Sequence, residues 1–275
     1  MKKENWNESN IPDQSGKIFI VTGPTSGLGE ETARVLSRKN ATIIMAARNI
    51  KKAESVANEI LAENKNAKID IEELDLTSLE SIKNFSHQIF KKYKNLDCLI
   101  NNAGIMACPY SKTKDGFEIQ MGTNHLGHFA LTGQLISLLK KTPNSRVVNV
   151  SSIAHTSGNI DFDDLNWEKR KYRTWSAYSD TKLANLYFTY ELSSKLEEDK
   201  GNPIILASHP GWTATDLQRY SGVANFMNIF LGQKVNIGAL GGLRAATDLT
   251  AKSNDYFGSP SMGGMKGHPV LVKSN

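Results

Sequence analysis

The chain has 275 residues, 39% of them hydrophobic and 22% charged, with a formal net charge of +5. That length and balance suit one large α/β domain whose core needs no staples, and two cysteines, Cys98 and Cys108, exclude a disulfide framework and favour a reducing compartment. No run of about 18 apolar residues is present for a membrane span, and the dispersed lysines (Lys51-Lys52, Lys91-Lys92, Lys140-Lys141) make no aromatic-interleaved stripe for nucleic acid.

Residues 1–15 are polar, lack the apolar stretch of a secretion signal and read as an N-terminal arm, so a cytoplasmic location is expected. Residues 16–275 read as a single domain. Short β-branched runs alternate with helical stretches, the pattern of parallel βαβ units. Strands are expected at residues 17–22 (KIFIVT), 41–46 (ATIIMA), within 67–76, and at 96–101 (LDCLIN), 146–151 (RVVNVS) and 203–208 (PIILAS). Helices are expected from 23 to about 39, 51–64, 79–92 and 124–141, with another carrying Tyr178 and Lys182. Near-continuous apolar strands imply helices on both faces of a doubly wound parallel sheet, a Rossmann-like fold. Residues 126–139 and 177–192 are apolar round much of their circumference, so either other elements of the chain lie over them or a second subunit covers them, in a homodimer or homotetramer.

The first strand runs into Thr22-Gly23-Pro24-Thr25-Ser26-Gly27-Leu28-Gly29 and then a helix. A pyrophosphate sits at such a place, on helix N-terminal amides, with glycines letting the backbone approach. The second strand ends Ala46-Ala47-Arg48-Asn49, without the acid that binds the ribose hydroxyls of NAD. Arg48, with Ser26 and Lys52, is therefore the expected determinant for the 2′-phosphate of NADP(H). Asp75, followed by Leu76 at the end of the third strand, can accept from an adenine amino group or cap the next helix. Asn102, Ala103 and Gly104 close the fourth strand at the edge where such sheets bind ligands, and Pro210-Gly211-Trp212-Thr213-Ala214-Thr215 follows the sixth. Gly211, Thr213 and Thr215 thus join the expected cofactor contacts, as does Pro210.

Tyr178-Ser179-Asp180-Thr181-Lys182 puts a phenol and an ammonium one helical turn apart. A free phenol, with a pKa of about 10, is ionised in roughly one molecule in a thousand at neutral pH. The ammonium favours phenolate and draws the group towards the range of a proton-transfer catalyst; a lowering by about three units needs roughly 4 kcal/mol. No Cys/His/Asp grouping has metal-ligand spacing. His125 and His128 read as packing or capping groups, Asp161, Asp163 and Asp164 as a solvated loop, and Cys108 as a loop thiol.

Taken in order, these segments resemble the short-chain dehydrogenase/reductase family over residues 17–256. Ala47-Arg48-Asn49, Thr123-Asn124-His125-Leu126-Gly127-His128-Phe129, Val148-Asn149-Val150-Ser151-Ser152, the long spacer to Tyr178 and Lys182-Leu183-Ala184-Asn185 resemble its retinol-dehydrogenase-like branch. The resemblance implies a catalytic set of Ser152, Tyr178, Lys182 and Asn124. Tyr178 would give or take the proton, Ser152 orient the carbonyl oxygen, Lys182 lower the phenol pKa and hold the nicotinamide ribose, and Asn124 hold a relay water. The expected partner is a small carbonyl or alcohol substrate, hydrophobic in character. Substrate choice falls to residues 105–116, 154–175 and 212–234, the last with an apolar stretch at Phe226, Met227, Ile229, Phe230 and Leu231 that suits a substrate lid, a helix packed on the body or a membrane-contact patch; the glycine-rich tail, 258–267, either folds over the site or forms a loose turn. Three rival readings are a non-catalytic NADP(H)-binding sensor or scaffold, a sugar-nucleotide epimerase, and a tetrapyrrole reductase-like enzyme. The intact Ser152, Tyr178 and Lys182 oppose the first; the absence of a larger C-terminal domain and of a longer lid opposes the others.

Overall fold

A computed structural model describes residues 5–197, 203–213 and 232–274 of the chain. Seven parallel strands and one antiparallel strand form a sheet in the order β3-β2-β1-β4-β5-β6-β7-β8. They are β1 (Ile18–Thr22), β2 (Thr42–Ala47), β3 (Lys68–Glu73), β4 (Cys98–Asn101), β5 (Arg146–Val150), β6 (Ile204–Ser208), β7 (Tyr256–Gly258) and β8 (Val270–Leu271). The helices are α1 (Gly27–Arg38), α2 (Ile50–Glu63), α3 (Leu79–Lys92), the single turn α4 (Ile119–Met121), α5 (Gly127–Lys141), α6 (Thr174–Leu196), the short α7 (Val235–Gly238) and α8 (Leu240–Thr247).

Strand alternation sends neighbouring side chains to opposite faces, and each face has its own core. Phe19 and Val21 of β1 pack with Ile43 and Met45 of β2 under α1, α2 and α8. Ile20 and Ile44 face the other way, towards Ile82, Phe85 and Ile89 of α3 and Leu131, Leu135 and Leu139 of α5. The expectation of wholly apolar strands fails at β3, Lys-Ile-Asp-Ile-Glu-Glu, which lies at the sheet edge. Only Ile69 and Ile71 pack on the core there, and alternation is what a half-covered edge requires. The doubly wound arrangement otherwise stands, and β7 and β8 extend it.

Local signals set the ends of α1. Glu30 pairs with Arg34 one turn on, at 2.8 Å. Asn40 takes φ of 67°, and Ala41 N–H closes a Schellman turn on the Leu36 carbonyl at 3.1 Å. The polar arm folds onto the body: Trp6 and Ile11 join the core, and Glu8 pairs with Arg38 at 2.8 Å.

Two helix expectations change. The helix expected from residue 124 starts at Ile119, and residues Gly122–Leu126 form a π segment running into α5. Asn124 is therefore inside a helical run, not at its cap. Asp164 is buried, not solvated; its carboxylate caps a turn by accepting Glu168 N–H at 2.7 Å. Arg170 ties this turn to Asp180 of α6 at 3.6 Å. Cys98 and Cys108 are both buried and form no disulfide, so Cys108 is not an open loop thiol. Among the described residues, no helix is long and apolar enough to cross a membrane, and no cluster of His, Cys, Asp or Glu could hold a metal ion. On α5 and α6, Phe129 and Tyr187 are more than half exposed, and the Phe129 and Phe188 rings stand 5.2 Å apart.

Candidate active site

The order 3-2-1-4-5-6 reverses direction between β1 and β4, and a crevice opens at the carboxyl ends of the strands there. A latch defines it. Thr22, the last residue of β1, accepts the Asn102 and Ala103 N–H groups, both at 2.9 Å. His128 donates from Nδ1 to the Asn124 carbonyl at 3.0 Å, so its Nε2 takes the Thr22 hydroxyl proton at 2.9 Å. Burial pushes the His128 pKa down to about 4, which keeps the ring neutral for that double role. His128 is thus a packing group, as is His125, whose Nδ1 meets Asn185 Oδ1 at 3.1 Å.

A cavity of about 350 Å³ lies beside this latch. Gly23, Thr25, Ser26, Gly27, Leu28, Gly29, Arg48, Lys52, Asp75, Leu76, Asn102, Ala103 and Gly104 all line it. Gly23 sits at φ of 65° against Ala103, and a Cβ on Gly29 would fall 2.2 Å from the Gly23 carbonyl oxygen. Neither position admits a side chain.

These residues fit a dinucleotide. Ser26, the N-cap of α1, makes no side-chain bond to the helix, so the first amides of α1 keep their hydrogen-bonding capacity beside the cavity. Thr123 Oγ1, in the same wall, is buried without a partner. Among the described residues no ion pair engages Arg48 or Lys52, and Arg48 is exposed. Asp75 takes both roles open to it: it lines the cavity, and its Oδ1 accepts Thr77 N–H at 3.0 Å at the start of α3. Burial alone would raise its pKa, but the Thr77 hydrogen bonds and Lys114, 3.1 Å away, hold it below the usual carboxylate range.

A second cavity of about 570 Å³ shares Leu28 with the first and is lined by Ser152 and Tyr178; Lys182 and Asn124 line neither cavity but stand behind Gly104 in the wall of the first, with Lys182 Nζ 3.8 Å and Asn124 Oδ1 3.3 Å from the Gly104 Cβ position. Ser152 ends the stretch after β5 and caps the short turn Ile153–Ser157, accepting Ala154 N–H at 3.2 Å. The phenol of Tyr178, on the buried face of α6, is hydrogen-bonded to Ser152. One turn on, Lys182 Nζ lies 5.6 Å from the Tyr178 ring centre and donates to the Val150 carbonyl at 3.1 Å. Asn124 is wholly buried; its Oδ1 accepts Ile105 N–H at 2.8 Å and its Nδ2 donates to the Ile105 carbonyl at 2.9 Å and Thr181 Oγ1 at 3.1 Å. The π segment leaves the Asn124 carbonyl to accept from His128 and, at 3.3 Å, from Asn185.

The electrostatics correct one expectation. Burial pushes the Tyr178 phenol up to about 12, against a lowering from the Ser152 hydrogen bond, and pushes Lys182 down to about 8. The Lys182 ammonium, which donates to Val150 O, does not offset the burial that raises the phenol. Tyr178 holds its proton, as a group that gives one must.

The larger cavity is mainly apolar near Tyr178, with Leu28, Met106, Ile153, Trp175, Trp212 and Val272 in its wall. Pro210, Gly211 and Thr213, expected among the cofactor contacts, line this larger cavity and not the smaller one. Of the residues expected at the site, Thr215 lies outside the described residues, as does the apolar stretch at Phe226–Leu231. Sequence reasoning missed the polar wall of His155, His209, Tyr256 and Ser259. His155 and Ser259 fall within the expected segments 154–175 and 258–267, while His209 follows β6 and Tyr256 opens β7, with no shared spacing to single the four out.

The profile of the short chain dehydrogenase family matches residues 17–224. The chain belongs to that family. It is 46% identical over 220 residues to retinol dehydrogenase 13 of Homo sapiens, a match over 79% of this chain and 66% of the relative. To retinol dehydrogenase 12 of Mus musculus it is 47% identical, covering 75% of this chain and 64% of the relative. The chain thus spans about two thirds of the length of these relatives. Short-chain dehydrogenase TIC 32 B, chloroplastic, of Brassica napus is 42% identical, over 86% of this chain and 78% of the relative. Among solved structures, an uncharacterized protein from Mycobacterium paratuberculosis superimposes with a TM-score of 0.82 at 39% identity, covering 98% of this chain and 90% of that one.

Proposed function

We propose that this short-chain dehydrogenase is an NADP(H)-dependent oxidoreductase that moves hydride between the nicotinamide and the carbon of an apolar carbonyl or alcohol. The observation that carries the reading is the grouping of Ser152 and Tyr178 in the wall of an apolar cavity, with Lys182 beside the Tyr178 ring and Lys182 and Asn124 backing Gly104 in the wall of a phosphate-suited one. The naming of its relatives for retinol, an apolar alcohol, supports the substrate class. Arg48, beside Ser26 and Lys52 with no acid at the end of β2, supports NADP(H) over NAD(H).

Amides of Gly27, Leu28 and Gly29 at the start of α1 bind the pyrophosphate, and Arg48 and Lys52 hold the 2′-phosphate. Asn102, Ala103, Gly104, Pro210, Gly211 and Thr213 form walls for the rings. When bound, NADPH supplies the hydride. Ser152 hydrogen-bonds the substrate oxygen and fixes its place beside Tyr178. The phenol donates its proton to that oxygen as negative charge develops there; in the oxidative direction it takes the proton back. Lys182 then returns a proton to the phenolate, and its pKa of about 8 lets it do so near neutrality. Asn124 fixes the backbone at Ile105, beside Gly104, whose Cβ position is 3.8 Å from Lys182 Nζ. The exposed aromatic face on α5 and α6 supports a homodimer or homotetramer.

A panel of apolar aldehydes, ketones and alcohols with both cofactors tests the reading. NADPH is expected to bind at least about tenfold more tightly than NADH, the effect of one charge-assisted contact. Equal dissociation constants would overturn the cofactor choice, and no turnover with any member of the panel would favour the sensor.

A further inference from the structure

Two loops that frame Tyr178, residues 102–118 and 158–173, are joined by a buried polar network that the chemistry above does not use. Gln120, wholly buried beside the π segment, is its centre. Its Oε1 accepts Ala107 N–H at 2.8 Å, and its Nε2 donates to the Tyr172 hydroxyl at 2.8 Å and to the Thr174 carbonyl at 2.9 Å. The three bonds fix the orientation of the carboxamide, since only its oxygen can meet an N–H and only its nitrogen a carbonyl. Tyr172 passes its own proton to Glu118 Oε1 at 2.8 Å. Glu118, also wholly buried, accepts Gln120 N–H at 2.9 Å and Met121 N–H at 2.7 Å, while its own N–H goes to Asn166 Oδ1 at 2.9 Å. The Tyr172 ring stands 5.1 Å from Tyr110 and 5.6 Å from Trp167, both edge-on.

What this network holds is unusual. Ala107 has φ of 50°, a left-handed backbone that a side chain makes costly and that persists only where surroundings impose it. Ala107 and its neighbour Met106 form one buried apolar cluster with Tyr178. Thr174, at the other end of the Gln120 carboxamide, is the first residue of the helix that carries Tyr178. One side chain therefore grips both the apolar cluster that includes Tyr178 and the start of the helix it grows from.

We infer that Gln120 and Tyr172 are positioning residues for proton transfer: they hold Ala107 in its strained turn within the Tyr178 cluster and so set the angle at which the phenol meets the substrate oxygen. The inference rests on the reading of Tyr178 as the proton donor. Neither residue lines either cavity, so their removal acts on the chemical step and not on binding.

Tyr172→Phe keeps both ring contacts and removes only the hydroxyl; Gln120→Met keeps the volume and removes all three bonds. The expected result is a kcat lowered about tenfold by Tyr172→Phe and somewhat more by Gln120→Met, with KM and the NADPH dissociation constant changed less than about twofold, since a small misplacement of a reacting group is costly. The double variant should cost little more than Gln120→Met alone, because both act through one network. Loss of thermal stability with unchanged kcat, or an effect confined to KM, would overturn the inference; should Gln120→Met fail to fold, Tyr172→Phe decides. Hydrogen exchange of the 105–108 segment gives a second readout that needs no turnover, and it should quicken in both variants. A wild-type protein inactive on the whole panel would sink the reading of Tyr178, while unchanged exchange in the variants would sink the clamp.

Discussion

The two cavities, which share Leu28, are built in different ways. The smaller is assembled from strand ends and the turns that follow them, with most of its wall in short contiguous runs: residues 22–29, 46–49, 74–77 and 102–105. The larger takes two runs from the connections after β5 and β6, residues 152–157 and 209–213, and otherwise single residues and pairs scattered from Leu28 to Lys273. The first uses backbone amides and glycines at places the sheet topology dictates. The second uses side chains on connections whose paths depend on long-range packing. The cofactor side should therefore respond to changes of charge and backbone, and the substrate side to changes of volume.

The sharpest test lies at the proposed proton donor, in the wall of the larger cavity. Tyr178→Phe removes the proton donor without altering either wall, and should lower kcat/KM by about a hundred- to ten-thousandfold, the range for general acid–base catalysis. NADPH affinity, by fluorescence titration, should stay within about threefold, because the phosphate contacts are remote. Loss of cofactor binding in step with activity would mean that Tyr178 holds the cofactor in place and does no chemistry.

Lys182 separates function from stability. Its ammonium is wholly desolvated and its folded pKa of about 8 lies below the ordinary 10.5. A cation whose folded pKa is depressed costs stability wherever the unfolded chain still binds the proton. The cost is full below pH 8 and fades as pH rises towards 10.5. Lys182→Met should thus raise stability at neutral pH by about 1–3 kcal/mol while abolishing turnover. The Val150 carbonyl is not orphaned, since Asn185 Nδ2 donates to it at 3.1 Å. Urea unfolding at pH 7 and pH 10 is the measurement, and a gain no larger at pH 7 than at pH 10 would contradict the burial argument.

Much of this was legible in the sequence because the cofactor half is local. Gly23, Gly27 and Gly29 mark a turn whose shape the backbone alone demands, and Arg48 needs only the end of β2 to be placed. Tyr178 and Lys182 follow from helical periodicity. Asn124 was placed on a helix but with the wrong surroundings: nothing in Thr-Asn-His-Leu tells a π segment from an α-helix, because the difference lies in which carbonyl each amide chooses. The phenol pKa was misjudged for a related reason. Spacing brings the ammonium near, but burial decides the sign, and burial is a property of the packed molecule. β7 and β8 escaped notice because three- and two-residue strands carry no period. Gln120 and Tyr172 lie 52 residues apart, so only the folded chain can bring them together.

The smallest expected effect is on the substrate side. Trp175, 41% exposed and edge-on to Tyr178 at 6.3 Å, lines the larger cavity but makes no contact with the smaller. Trp175→Ala removes apolar area from one wall only, so KM for bulky apolar carbonyls should rise about three- to tenfold, the worth of roughly 1 kcal/mol of partly exposed surface. For a short aldehyde that does not reach Trp175, KM should not move, and NADPH affinity should be unchanged. A uniform rise across substrate sizes would mean that Trp175 acts through the Tyr178 ring it touches, and the division of labour between the cavities would give way to one shared wall.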